Sequence, residues 1–129
     1  MARRRTDGPT EAELEILNVL WDRGTGTVRD VNEAVSRLRP TGMTTTLKLM
    51  QIMVDKGLLA RDEDARPQVY RARWSKGRTQ RKLVSRLLKR AFDGSAAQMV
   101  LSALTHHKAT PEELARIRQA LDAMEGDAG

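Results

Sequence analysis

The stretch TTTLKLMQIMVDKGLLARDEDARPQVYRARW, residues 44–74, combines a helical period with two short strands. Apolar residues at helical spacing predict a helix over Thr44–Lys56, which Gly57 ends. Its predicted buried face carries Leu47, Met50, Met53 and Val54, and its opposite face carries Thr44, Thr45, Lys48, Ile52 and Asp55. After Gly57 the pattern predicts two strands, Leu58–Arg61 and Gln68–Arg73, on either side of a polar turn.

Two predicted helices precede this stretch and three follow it. The first two are Thr10–Arg23, which opens on a Thr10–Glu13 capping box, and Val28–Leu38. The last three are Arg78–Phe92, Ser95–His106 and Thr110–Met124. The predicted fold class is therefore mainly α with a small β-hairpin, namely a winged helix-turn-helix domain over residues 1–74 and a three-helix region over residues 75–129.

The C-terminal region is predicted to form a homodimer. Its last helix carries apolar residues at spacings of three, four and three, the seam of a helix that packs on other helices. Helical units below about 70 residues usually need a partner, and a two-fold dimer matches a palindromic DNA site. The predicted dimerisation residues are Leu87, Val100, Leu104, Leu114, Ile117, Leu121 and Met124.

A winged helix-turn-helix inserts its third helix into the major groove, while its hairpin contacts the flanking backbone. The predicted DNA-binding residues are Thr44, Thr45, Thr46 and Lys48 on the helix and Arg61, Arg66, Arg71 and Arg73 on the hairpin. Threonine and lysine side chains bond to base edges or phosphates, and arginines neutralise phosphates. The alternative is a winged-helix module that binds another protein, in which the threonine-rich face is ordinary surface.

The net charge of +6 favours a polyanionic partner such as double-stranded DNA. Residues 76–92 carry seven basic and no acidic side chains. This segment is interpreted as a connector helix near DNA phosphates, with an amphipathic membrane-binding helix as the alternative. The tail Ala2–Arg5 is either an arm that enters a minor groove or a solubilising terminus.

Other functional classes find little support in the sequence. It has no cysteine, no signal peptide, no membrane span and no recognisable catalytic motif, so we expect a cytoplasmic protein that is not an enzyme and needs no cofactor. His106 and His107 are a poor metal-ligand set, and as histidines at a helix end they complement the helix dipole.

Several stretches resemble the BlaI/MecI family of penicillinase-type repressors. They are T-x-x-E-L-x-I-L-x-V-L-W (10–21), T-T-L-K-L-M-Q-I-M-V-D-K-G-L-L (45–59), V-Y-R (69–71), F-D-G-S (92–95), M-V-L-S-A-L (99–104) and T-P-E-E-L (110–114). The resemblance implies a homodimer that binds a palindromic operator and represses an antibiotic-resistance or related operon. It also implies relief of repression by cleavage between Ser102 and Ala103, triggered by a membrane sensor metalloprotease encoded nearby.

The chain departs from the family pattern in four respects. Ile52 stands where many relatives have arginine, and Lys48 stands where they often have threonine, which points to a different operator sequence. The predicted cleavage bond is Ser-Ala where relatives commonly have Asn-Phe. The cysteine motif of the copper-responsive branch is missing, which argues against copper sensing.

Overall fold

The computed structural model describes residues 8–128, which form six helices and one two-stranded antiparallel sheet. In chain order the elements are α1 Glu11–Arg23, α2 Val28–Leu38, α3 Met43–Asp55, β1 Leu59–Asp62, β2 Val69–Ala72, α4 Lys76–Ala91, α5 Ala96–His106 and α6 Pro111–Ala128. The predicted fold class is confirmed, and the ends of the elements differ from the prediction by at most four residues. No helix within residues 8–128 combines the length and the apolar character that a membrane crossing requires.

The chain divides into two compact units, the first ending at Arg86 and the second beginning at Leu87. The division lies within α4, whereas the sequence places a domain boundary between residues 74 and 75, just before this helix. Three helices and the hairpin belong to the first unit together with the first part of α4.

Capping boxes begin three of the helices. Thr10 with Glu13 begins α1, as predicted, and Thr110 with Glu113 begins α6. A third box, unnoticed in the sequence because Asp replaces the usual Glu or Gln, begins α2: the Asp30 amide donates to Thr27 Oγ1 at 3.1 Å, and the Thr27 amide donates to the Asp30 carboxylate at 3.0 Å. The backbone hydrogen bond from Thr27 lowers the pKa of Asp30 below its usual value.

The core of the first unit lies between α1, α2, α3 and the hairpin. Its buried apolar side chains are Ile16, Leu17, Leu20, Val31, Val35, Met50, Met53, Leu59 and Tyr70. Tyr70 also ties the hairpin to the loop before α2, since its amide donates to the Gly26 carbonyl at 2.8 Å and its carbonyl accepts from the Gly26 amide at 3.0 Å. A Cβ at residue 26 would lie 3.3 Å from Leu20 Cδ2, so glycine at this position lets the loop lie close to the Leu20 side chain of α1.

The second unit leaves its apolar side chains accessible. No described side chain of α5 or α6 is buried. Among the predicted dimerisation residues, Leu114 and Ile117 are half-buried, and the exposed ones are Leu87, Val100, Leu104, Leu121 and Met124. The helices of this unit therefore present apolar surface that a single chain does not cover.

Candidate nucleic-acid interface

Helix α3 presents a continuous exposed strip. Thr44, Lys48, Gln51 and Asp55 follow one another at spacings of four, three and four residues, so they line up along one side of the helix. Thr45 is exposed beside this strip, and Ile52 is half-buried. The structure thus brings the predicted residues Thr44, Thr45 and Lys48 onto one surface.

The structure encloses Thr46, which the sequence placed among the predicted DNA contacts. Its side chain is 0% exposed, and its Oγ1 accepts a hydrogen bond from Asn32 Nδ2 at 3.0 Å. The same Asn32 amide donates to the Thr41 carbonyl at 2.8 Å. Thr46 faces inward because it precedes the buried Met50 and Met53 by four and seven residues, and those two side chains set which side of α3 meets the core.

The prediction that Leu47 is buried is wrong, since the structure leaves it 39% exposed. It lies about 60° around the helix from Thr44, on the edge of the exposed strip. Thr46 takes the inward position that hydropathy assigned to Leu47. Sequence reasoning also missed Gln51, although its spacing from Thr44 and Lys48 places it on the same strip, and glutamine can bond to adenine through two hydrogen bonds.

The wing of the fold is the hairpin of β1, β2 and the turn between them. Two of the four hairpin arginines that were predicted to bind DNA form contacts within this wing. Arg61 forms a 3.1 Å ion pair with Glu63. The hydrogen bond to Glu63 raises the pKa of Arg61 above its already high value. Arg66 folds back and donates from Nη1 to the carbonyls of Glu63 and Ala65. Each guanidinium group thus has some of its donors engaged inside the wing.

The other two wing arginines lie on the solvent side. Arg71 is exposed on β2, and Arg73 follows the strand. The Arg73 guanidinium lies 5.2 Å from the centroid of the Trp74 ring, and the guanidinium of Arg78, which the sequence did not single out, lies 3.9 Å from it. The Trp74 carbonyl accepts a hydrogen bond from Trp21 Nε1 at 3.0 Å, which joins the backbone at Trp74 to α1. No carboxylate described in residues 8–127 forms an ion pair with these three arginines.

The remaining predicted features lie in the helices after the wing or outside the described residues. In α4 every lysine and arginine is exposed except Arg86, which is half-buried.

Ser102 and Ala103, the residues of the predicted cleavage bond, lie inside α5, where Ser102 is half-buried and Ala103 exposed. His106 Nδ1 lies 2.9 Å from the Ser102 carbonyl, and within residues 8–128 no group of three potential metal ligands comes together. The tail Ala2–Arg5 lies outside the described residues.

Comparison with known proteins identifies the family of the chain. No curated protein matches the chain. A solved structure of Bordetella bronchiseptica BpsR, from work on the regulation of its DNA binding by 6-hydroxynicotinic acid, aligns with 97% of this chain and 83% of its own, with 23% identity and a TM-score of 0.44. The family model described as penicillinase repressor matches residues 9–123, from the turn before α1 into α6. Because this match covers most of the chain, the chain belongs to the penicillinase repressor family.

Proposed function

We propose that the chain represses transcription as a homodimer that binds a palindromic DNA operator, with α3 as its reading helix. Membership of the penicillinase repressor family makes it a transcriptional repressor whose partner is DNA. The observation that carries the finer proposal is the exposed strip on α3, which runs from Thr44 through Lys48 and Gln51 to Asp55 at the end of the helix. Its hydroxyl, ammonium and amide groups suit the edges of base pairs in a major groove.

The exposed groups on α3 and the exposed arginines of the wing have different roles in the proposed binding. The strip on α3, with Thr45 beside it, specifies the sequence, because each well-formed pair of hydrogen bonds to a base discriminates by about 1–3 kcal/mol. Arg71 and Arg73 position the protein by neutralising phosphates, which contributes affinity without sequence preference. Arg61 and Arg66 contribute less, since their guanidinium groups already have partners inside the wing.

The apolar surface of α5 and α6 supports a homodimer. Val100, Leu104, Leu121 and Met124 are exposed in the single chain, and fully burying one such side chain is worth about 1.5–3 kcal/mol. A second copy is the proposed partner, because a two-fold interface pairs the same stripe with itself and presents two reading helices to the two halves of a palindrome.

We further propose that the repressor acts in the cytoplasm on an antibiotic-resistance or stress-related operon and is released from DNA by proteolysis. The proposed bond, between Ser102 and Ala103, lies within α5. A cut there would separate α6 from the DNA-binding unit and so remove the stripe that includes Leu114 and Leu121. The two halves of an operator would then be bound independently, with the loss of effective concentration that this implies. The proposed trigger is a membrane sensor metalloprotease encoded nearby.

The test is a selection of binding sites by the full-length chain from a random duplex library. We expect the enriched sequences to be inverted repeats whose half-sites are about one helical turn apart, or a multiple of that distance. Fluorescence anisotropy should then give an affinity for the selected duplex at least about 1,000-fold above that for a scrambled duplex. If a folded protein, verified by circular dichroism, enriches no sequence, the proposal is wrong.

A further inference from the structure

We propose that Leu47 and Met43 recognise thymine through its 5-methyl group, from an apolar cleft between α3 and the wing. This inference rests on the proposed function and adds to it a chemical basis for one part of the sequence preference. Leu47 and Met43 have no side-chain hydrogen-bonding groups that could read a base edge, so any contribution they make to sequence preference is apolar.

The exposure of these two side chains calls for an explanation. Met43 is 45% and Leu47 is 39% exposed, whereas the buried apolar residues of the same unit, such as Met50 and Met53, are completely enclosed. Met43 and Leu47 are separated by one turn of α3, so they stand one above the other on the same side of the helix. Together they form an apolar edge to the polar strip that begins at Thr44.

This apolar edge borders an open cleft of about 440 Å³. Its lining comes from the start of α2, the start of α3 and the wing, and consists of Thr27, Val28, Arg29, Met43, Leu47, Pro67, Gln68 and Tyr70. Pro67 and Gln68 belong to the turn between the strands and the approach to β2, while Val28 lies at the start of α2. The cleft therefore lies between the proposed reading helix and the wing.

The chemistry of the lining favours an apolar group carried by an anion. None of the described residues that line the cleft carries a carboxylate, Arg29 adds a positive charge, and Met43, Leu47, Val28 and Pro67 supply apolar surface. In the major groove the thymine methyl is the apolar group that distinguishes thymine from the other bases, and the groove is bordered by the phosphates of the two backbones. Double-stranded DNA thus offers both properties that this cleft requires.

The experiment removes the methyl group alone. Each thymine of the selected operator is replaced in turn by deoxyuridine, which keeps the hydrogen-bonding edge, and the Kd is measured for the full-length wild type, Leu47→Ala and Met43→Ala. One buried methyl is worth about a fourfold change in Kd, so we expect one or two positions at which deoxyuridine weakens wild-type binding by about that factor. At those positions Leu47→Ala or Met43→Ala should respond less than about 1.5-fold.

Leu38→Ala is the matched control, because Leu38 is a leucine 69% exposed on α2 that does not line the cleft. It should keep the full wild-type sensitivity to deoxyuridine. A chain that selects an operator but responds to no deoxyuridine substitution overturns this inference alone, as does sensitivity that persists in both cleft variants. A chain that selects no DNA sequence overturns the proposed function and this inference with it.

Discussion

Lys56 Nζ lies 2.7 Å from Glu13 Oε1 and joins the end of α3 to the start of α1. The Glu13 residue is 2% exposed, and the same oxygen accepts the Thr10 amide at 2.9 Å. One carboxylate therefore completes the capping box of α1 and pairs with the lysine that ends the proposed reading helix. Removing the cationic partner of a buried carboxylate is strongly destabilising, because it leaves an uncompensated buried charge.

Replacing Lys56 with methionine should destabilise the first unit. The change keeps the length of the side chain but leaves the Glu13 carboxylate buried without its cation, which costs about 3 kcal/mol in the free energy of unfolding. Urea denaturation measures this cost. The control Lys82→Met, at an exposed position on α4, should change stability by less than about 0.5 kcal/mol, and an equally small effect of Lys56→Met would contradict the role of the pair.

Replacing Thr45 and Lys48 together with alanine should reduce specific DNA binding. Each lost base contact is expected to cost about 1–3 kcal/mol of binding free energy, while the exposed positions leave the fold intact. Anisotropy titration with the selected operator measures the loss, and circular dichroism verifies the fold. Wild-type affinity in the folded double variant would place the reading surface elsewhere.

Thr46→Val should have the opposite profile. Valine keeps the shape of threonine but removes the acceptor of the Asn32 hydrogen bond, which should lower stability by about 1 kcal/mol. Because Thr46 is enclosed, the affinity of the folded protein for its operator should stay at the wild-type value. A loss of affinity without a loss of stability would restore Thr46 to the set of DNA contacts.

Arg71→Ala should weaken binding to all DNA sequences about equally. An exposed arginine that neutralises one phosphate contributes about 1 to the slope of log Kd against log salt concentration, so the slope should fall by that amount. Arg66→Ala is the matched control on the same wing and should change the slope less, because Arg66 already donates to two backbone carbonyls. A loss confined to one operator sequence would mean that Arg71 reads bases.

Leu121→Asp should produce a monomer. The aspartate would place an unpaired charge in the proposed interface of α6, where burial of a charge is strongly unfavourable. Sedimentation velocity of the full-length chain measures the change. Gln119→Asp, an exposed position on the same helix but off the apolar stripe, should leave the dimer intact. A Leu121→Asp dimer would locate the interface elsewhere.

The sequence predicts the order of elements well because that order depends on local signals. The capping box at Thr10 and the apolar periods of α1 to α3 act within a few residues, and the structure confirms them. The rotation of α3 is different, since it depends on packing and on Asn32, which lies on another helix and donates a hydrogen bond from its side-chain amide to Thr46 Oγ1. Hydropathy alone orders leucine inward and threonine outward, and here Leu47 and Thr46 occupy the reverse positions.

The wing shows the same limit for charged residues. Arg71, one of the arginines predicted to bind DNA from the hairpin, is exposed on β2. The sequence could not show that Arg61 and Arg66 bind within the wing, because those contacts depend on how the turn around Glu63 folds. Arg78 was missed for a related reason: its stacking on Trp74 depends on where the helix after the wing begins.

The pairing of Gly26 with Tyr70 affects the tendency of this protein to aggregate through its sheet. It gives β2 a neighbour on each side at Tyr70, so within the described residues the longer open edge of the sheet belongs to β1. That edge is only four residues long and carries the charges of Arg61 and Asp62. A short, charged edge is a poor template for strand addition. Fibre-like aggregation through the sheet is therefore disfavoured, and the helices remain the surface through which copies can associate.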